Sequence, residues 1–153
     1  MDMTQFPLFS HRSDAAVPAF DDAGVICVMD AMCGVCARGA KWIARRDRAE
    51  EVRIVPMQSP LGAALLRHYG MDAADPTSWL LLEGGRAYGS ADAVMRMGAR
   101  LGGAARLLGV FRVLPRGLRD WLYQRLARNR YRLARRVDLC AMPDADVQKR
   151  LMR

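Results

Sequence analysis

Asp30-Ala31-Met32-Cys33-Gly34-Val35-Cys36 sets two thiols three residues apart, directly after the apolar run Val25–Met29. That run, rich in β-branched residues, predicts a strand buried on both faces. From Cys33 to Arg48 the spacing becomes helical, with Cys36, Ala40 and Ile43 on one face and Arg38, Lys41, Arg45 and Arg48 opposite. The pair therefore falls where a strand turns into an amphipathic helix. Unpaired N–H groups and the macrodipole at a helix start favour a thiolate, and cysteines so placed titrate at about 3.5 to 7.5 instead of about 8.5. The chemistry this suits is thiol–disulfide exchange. Cys33, expected to be the more exposed sulfur, attacks a disulfide, and Cys36, one turn inside, resolves the mixed disulfide. Asp30 has two roles open to it: a carboxylate that caps the helix, or a base that takes the Cys36 proton. Its charge opposes the effect of the helix start on Cys33.

Cys-x-x-Cys is also half of a structural zinc site. Completing one would need Cys27 and Cys140, or His11 and His68, and the chain holds no second Cys-x-x-Cys and no His-x-x-x-His. The expectation is no metal. Cys27 then reads as a small core hydrophobe and Cys140 as a peripheral thiol. His68 reads as a helix-end residue, while His11 falls in a polar leader.

The elements that must position the pair follow from the remaining pattern. Val52–Val55, stopped by Pro56, predicts a second strand. Leu61–His68 predicts a second helix, with Pro60 in its first turn and Gly70 at its C-terminal end. Gly84-Gly85, between Trp79–Glu83 and Arg86–Tyr88, predicts a hairpin, since a glycine pair supplies the positive φ angles of a tight turn. Ser90 is placed to cap a third helix with Ala91, Val94, Gly98 and Leu101 inward and Gly102-Gly103 at its end. The order β-α-β-α-β-β-α predicts an α/β fold with a central mixed sheet flanked by helices. Beyond it, Ala104 to Leu114, a break at Pro115 and Leu118, Trp121, Leu122 and Leu126 predict a helical C-terminal extension. Residues 1–23 lack either period and read as a flexible leader, so the domain is expected to span 24–153.

Composition narrows the classes. With 153 residues, 52% hydrophobic and 26% charged, the chain suits one globular domain. No apolar run approaches the roughly 20 residues of a membrane-spanning helix, and the first residues carry neither a basic nor an apolar signal region. A cytoplasmic location is the expectation, in which four cysteines are open thiols rather than a disulfide framework. No G-x-G-x-x-G, Walker loop, G-x-S-x-G or H-E-x-x-H is present, so no cofactor is called for.

Twenty-four basic residues against 16 acidic give a net charge of +8. Between Arg112 and Arg136 nine arginines face one acid, Asp120. Such a surplus favours anionic partners. It supports a second reading, a non-catalytic binding module that meets an anionic partner or membrane surface through these helices. The plainer expectation is that Leu118, Trp121, Leu122 and Leu126 cover the sheet while the arginines face water. Aromatic residues are too sparse there for a nucleic-acid stacking platform.

Several stretches together resemble the DCC family. These are the Asp-x-x-Cys-x-x-Cys turn after an apolar strand, Ile54-Val55-Pro56-Met57-Gln58-Ser59, and Ser78 before Trp79-Leu80-Leu81-Leu82. Gly85-Arg86-Ala87-Tyr88 with Ser90-Ala91-Asp92-Ala93, and Leu114-Pro115 with Asn129-Arg130-Tyr131, complete the set. The resemblance covers about residues 24 to 145. It implies a thioredoxin-like fold, a thiol-disulfide oxidoreductase acting on a protein or small-molecule disulfide, and Asp30, Cys33 and Cys36 as the name-giving residues. Ala31 stands where the family turn commonly has Gly. Thioredoxins place a cis-proline before the third strand, and here the nearest proline is Pro76. On that resemblance Ser78 or Thr77 is expected to face the cysteines, its backbone helping to hold the substrate chain by strand-like pairing.

Overall fold

The structure, a computed structural model, describes residues 3, 5–74, 79–103, 106, 107, 110, 113–133 and 135–152. Strand β1 is Val25–Met29, with all five side chains buried, and helix α1 is Gly34–Arg46. Strand β2 is Val52–Pro56 and helix α2 is Pro60–His68, capped by the Ser59 hydroxyl, which accepts the Gly62 N–H. Strands β3 (Leu80–Glu83) and β4 (Arg86–Gly89) form the hairpin around Gly84 and Gly85, both at positive φ. Helices α3 (Ser90–Leu101), α4 (Arg116–Leu133) and α5 (Ala145–Gln148) follow.

The sheet order is β2-β1-β3-β4, with β1 parallel to β2 and antiparallel to β3, and β3 antiparallel to β4. This mixed sheet with flanking helices is the thioredoxin-like architecture that the resemblance implies. Strand alternation sorts the core into two faces. Val25, Cys27 and Met29 of β1 join Val52, Ile54 and Leu81 under α1 and α3. Ile26 and Val28 join Val55, Leu80 and Leu82 against α2. Because β1 is covered on both sides, it carries no polar position, which is why it reads as an unbroken apolar run. Close approach of α2 to the sheet depends on Gly62: a Cβ there would lie 2.1 Å from the Pro56 carbonyl oxygen.

Four differences from the sequence expectations have clear physical causes. Ser90 is the first residue of α3, not its cap; Gly89 occupies that position and the Ser90 N–H donates to the Trp79 carbonyl. The buried stripe of α3 includes Ala93 and Met97, while Val94 is half-buried, because this helix meets both the sheet and α4. Residues 5–23, read as a leader without periodicity, pack on the α2 face through isolated contacts. Phe6, Val17 and Phe20 touch the core, and His11 is buried. Finally, Leu118, Trp121, Leu122 and Leu126 do not cover the sheet. Helix α4 docks on α1 and α3 by its opposite side, with Ala127 buried and Arg119 paired to Asp92 at 2.9 Å, which turns the apolar residues outward. Part of the stretch Ala104 to Leu114 lies outside the described residues.

Candidate functional site

Parallel pairing of β1 with β2, Met29 opposite Pro56, ends both strands at the same edge of the sheet. Whatever follows them must meet there. Asp30 comes next on one strand and Gln58 on the other: the Gln58 side-chain amide donates to Asp30 Oδ1 at 2.6 Å. The Ala31 N–H donates to Gln58 Oε1 at 3.2 Å, and the Met32 N–H donates to Asp30 Oδ1 at 2.8 Å. Asp30 is 1% exposed. Its carboxylate thus braces the turn ahead of the cysteines, a tight local loop that short acidic side chains favour.

Cys33 is the cap residue of α1, in extended conformation, and its carbonyl accepts the first helical N–H, that of Ala37, at 2.9 Å. Cys36 lies one turn further, half-buried and packed against the core under α1. The strand-to-helix placement expected from the sequence is therefore present. None of the four cysteines is joined in a disulfide. Cys27 lies wholly within the core, and burial pushes its thiol well above the ordinary range, an effect to which neighbouring Cys36 adds. A cysteine so placed is inert.

The expected exposure of the pair is reversed. Cys33 is 0% exposed, and the more accessible member is Cys36. A segment far along the chain pairs with this turn. Residues 136–139 run antiparallel to the turn: Cys33 bridges Arg136, the Val137 N–H donates to the Met32 carbonyl at 3.3 Å, and the Leu139 N–H donates to the Ala31 carbonyl at 2.8 Å. Leu139 is fully buried and anchors this strap. Behind it the Gln148 side-chain amide donates to the carbonyls of Leu139, Cys140 and Met142 at 2.9 to 3.2 Å. Met32, Val35 and Val137 stay partly exposed around the closed thiol.

Of the residues singled out in the sequence, Asp30, Cys33 and Cys36 share one turn. Thr77, Ser78 and Pro76 lie outside the described residues. The candidate zinc ligands are not brought together, and among the described residues no three of His, Cys, Asp or Glu are gathered to hold a metal ion. Instead His68 bonds Asp14 and Ser10, and His11 bonds Tyr69 and Asp22. Gln58 and the strap were not anticipated as parts of the site. Gln58 was within reach of sequence reasoning, since it stands two residues past β2 just as Asp30 stands one past β1. Nothing in the sequence of residues 136–139 signals their partner.

Comparison with known proteins places these features in context. Residues 27–136 match the profile described as DCC1-like thiol-disulfide oxidoreductase. The chain is 27% identical over 127 residues to the protein YuxK of Bacillus subtilis strain 168, covering 83% of this chain and 93% of YuxK. It is 31% identical over 123 residues to a chloroplastic DCC family protein of Arabidopsis thaliana, covering 80% of this chain and 72% of that one. No solved structure matches it.

Proposed function

The chain belongs to the DCC1-like thiol-disulfide oxidoreductase family, and on that premise we propose that it exchanges thiols and disulfides through Cys33 and Cys36. The observation that carries the reading is the seating of Cys33 at the start of α1 with Cys36 one turn behind it. In the reducing direction, the Cys33 thiolate forms a bond to one sulfur of a substrate disulfide, and the other sulfur leaves as a thiolate that takes up a proton. Cys36, losing its proton, then attacks the Cys33 sulfur and releases the second substrate thiol. The product is a Cys33–Cys36 disulfide, with two electrons passed to the substrate. An external dithiol or thiol reductant returns the pair to its starting state.

Asp30, held by Gln58 and bonded to the Met32 N–H, acts in this reading as a positioning residue that fixes the turn. Thr77 and Ser78 are proposed to meet the substrate, a protein or small-molecule disulfide. A reducing, cytoplasmic setting fits four open thiols. Because Cys33 has no exposed surface, the first step requires the strap 136–139 to move aside.

The test uses single-cysteine variants and an aromatic disulfide reagent. Cys36→Ser is expected to accumulate a mixed disulfide at Cys33, identified by mass spectrometry of peptides, while Cys33→Ser abolishes turnover. Turnover that persists in Cys33→Ser would overturn this assignment.

A further inference from the structure

Helix α4 turns Leu118, Trp121, Leu122 and Leu126 to solvent, at 39 to 61% exposure. Just before it, Leu107, Val110 and Val113 are 66 to 85% exposed. Each of these side chains keeps a large exposed surface. Large apolar side chains exposed together on one helix face mark an interaction surface. Exposed Arg125, Arg128 and Arg132 stand between and beside the apolar residues, and the stretch from Arg112 to Arg136 holds nine arginines and one acid. The helix is fixed by its other side, through buried Ala127 and the Arg119–Asp92 pair, so its outward face is free to bind.

We infer that this face docks on an anionic lipid surface. Charge complementarity selects a negative partner, and a second copy of the chain would set one arginine array against another. A partner made of phosphates alone would leave Trp121 and the leucines in water. An exposed single helix is convex and offers no groove for an extended peptide. A bilayer interface meets all three conditions: leucines enter the acyl boundary, tryptophan sits at the headgroup level, and the arginines that share this face reach outward to lipid phosphates from apolar stems. The helix ends at Leu133, three residues before Arg136, which bridges Cys33. Docking there holds the cysteine turn close to the membrane surface. This inference does not rest on the exchange activity.

The test is sedimentation of the full chain with vesicles of phosphatidylcholine, with or without phosphatidylglycerol. Binding is expected only to the anionic vesicles, and it weakens steeply as salt rises. Neutralising two arginines, in Arg125→Gln with Arg128→Gln, lowers affinity roughly thirty-fold, as about 1 kcal/mol per basic residue at a charged membrane implies. Trp121→Ser with Leu122→Ser abolishes binding at the same net charge. All four positions are exposed or nearly so, and unchanged circular dichroism shows that the variants fold. Absence of binding to anionic vesicles overturns the inference, as does binding unaffected by the apolar pair. Self-association through this face, or capture of polyglutamate in place of vesicles, overturns it equally.

Discussion

Two chain segments outside the four-stranded sheet are fastened to it by different bonds. The N-terminal one, residues 5–23, is held largely through side chains, with one main-chain bond from the Phe9 N–H to the Gly85 carbonyl at 2.9 Å. His11 is 3% exposed and bonds Tyr69 and Asp22, each at 2.9 Å, while His68 reaches Asp14 at 2.7 Å and Ser10 at 2.8 Å. The C-terminal one, residues 136–152, is held by main-chain pairing at both ends, joined at its far end by charged side chains. It pairs with the cysteine turn at 136–139, and at its end the Ile54 N–H donates to the Arg150 carbonyl while the Met152 N–H donates to the Ile54 carbonyl. One buried charge pair, Arg150 with Asp47, locks that end, and the Arg150 guanidinium also reaches the Asp47 carbonyl at 2.8 Å. Main-chain pairing tolerates changes of side chain and pH, whereas side-chain clasps depend on protonation. The stretch beside the cysteine turn, residues 136–139, is held by main-chain bonds, which do not titrate.

The largest effect is expected at the lock. Arg150→Ala leaves the Asp47 carboxylate buried without its cation, a loss of about 3–5 kcal/mol, read as a lower denaturant midpoint. A midpoint unchanged within error would show that the C-terminal end is fastened by its main chain alone. Next is Leu139→Ala, which removes the strap's buried anchor at about 2–5 kcal/mol. Here the sharper readout is alkylation. Cys33 is expected to react about ten-fold faster or more, the factor that each ~1.4 kcal/mol of lost closure gives, while core Cys27 stays unreactive. Equal acceleration at both thiols would mean global unfolding rather than an opened strap.

The smallest effect separates the two segments by acid. The Arg12 guanidinium, helped by His11, holds Asp22 down at about 2, and two bonds to the Asp14 carboxylate, first that of His68 and then that of the Ala16 N–H, lower Asp14. A depressed carboxylate contributes stability that is complete above its unfolded value of about 3.9 and is lost as pH falls through the folded value. Protection of the amides in residues 10–22, relative to their intrinsic exchange at each pH, should therefore fall between about pH 4 and pH 2, ahead of that at 137 and 139. Simultaneous loss of protection in both segments would remove the distinction.

Much of this architecture was legible in local pattern. The run Val25–Met29, the shift to helical spacing after Cys33, the Gly84-Gly85 turn and Pro60 with Gly70 each carry their own physical signature, and the corresponding elements are present. What was not legible depends on pairs far apart in sequence. The outward turn of Leu118, Trp121, Leu122 and Leu126 follows from which side of α4 meets α1 and α3, and an apolar residue does not declare whether its face is covered. Likewise Asp30 and Gln58, 28 residues apart, meet only because β1 and β2 are parallel and end together.

By itself, then, the sequence determined the chemistry at hand: two thiols at the start of a helix, a carboxylate beside them and a basic C-terminal stretch. Tertiary structure alone decided access to that chemistry. Cys33 is closed in the fold, and residues 136–139 pair their backbone with that of the cysteine turn. Every residue but proline offers the same N–H and C=O, so such pairing leaves no mark in the sequence that makes it.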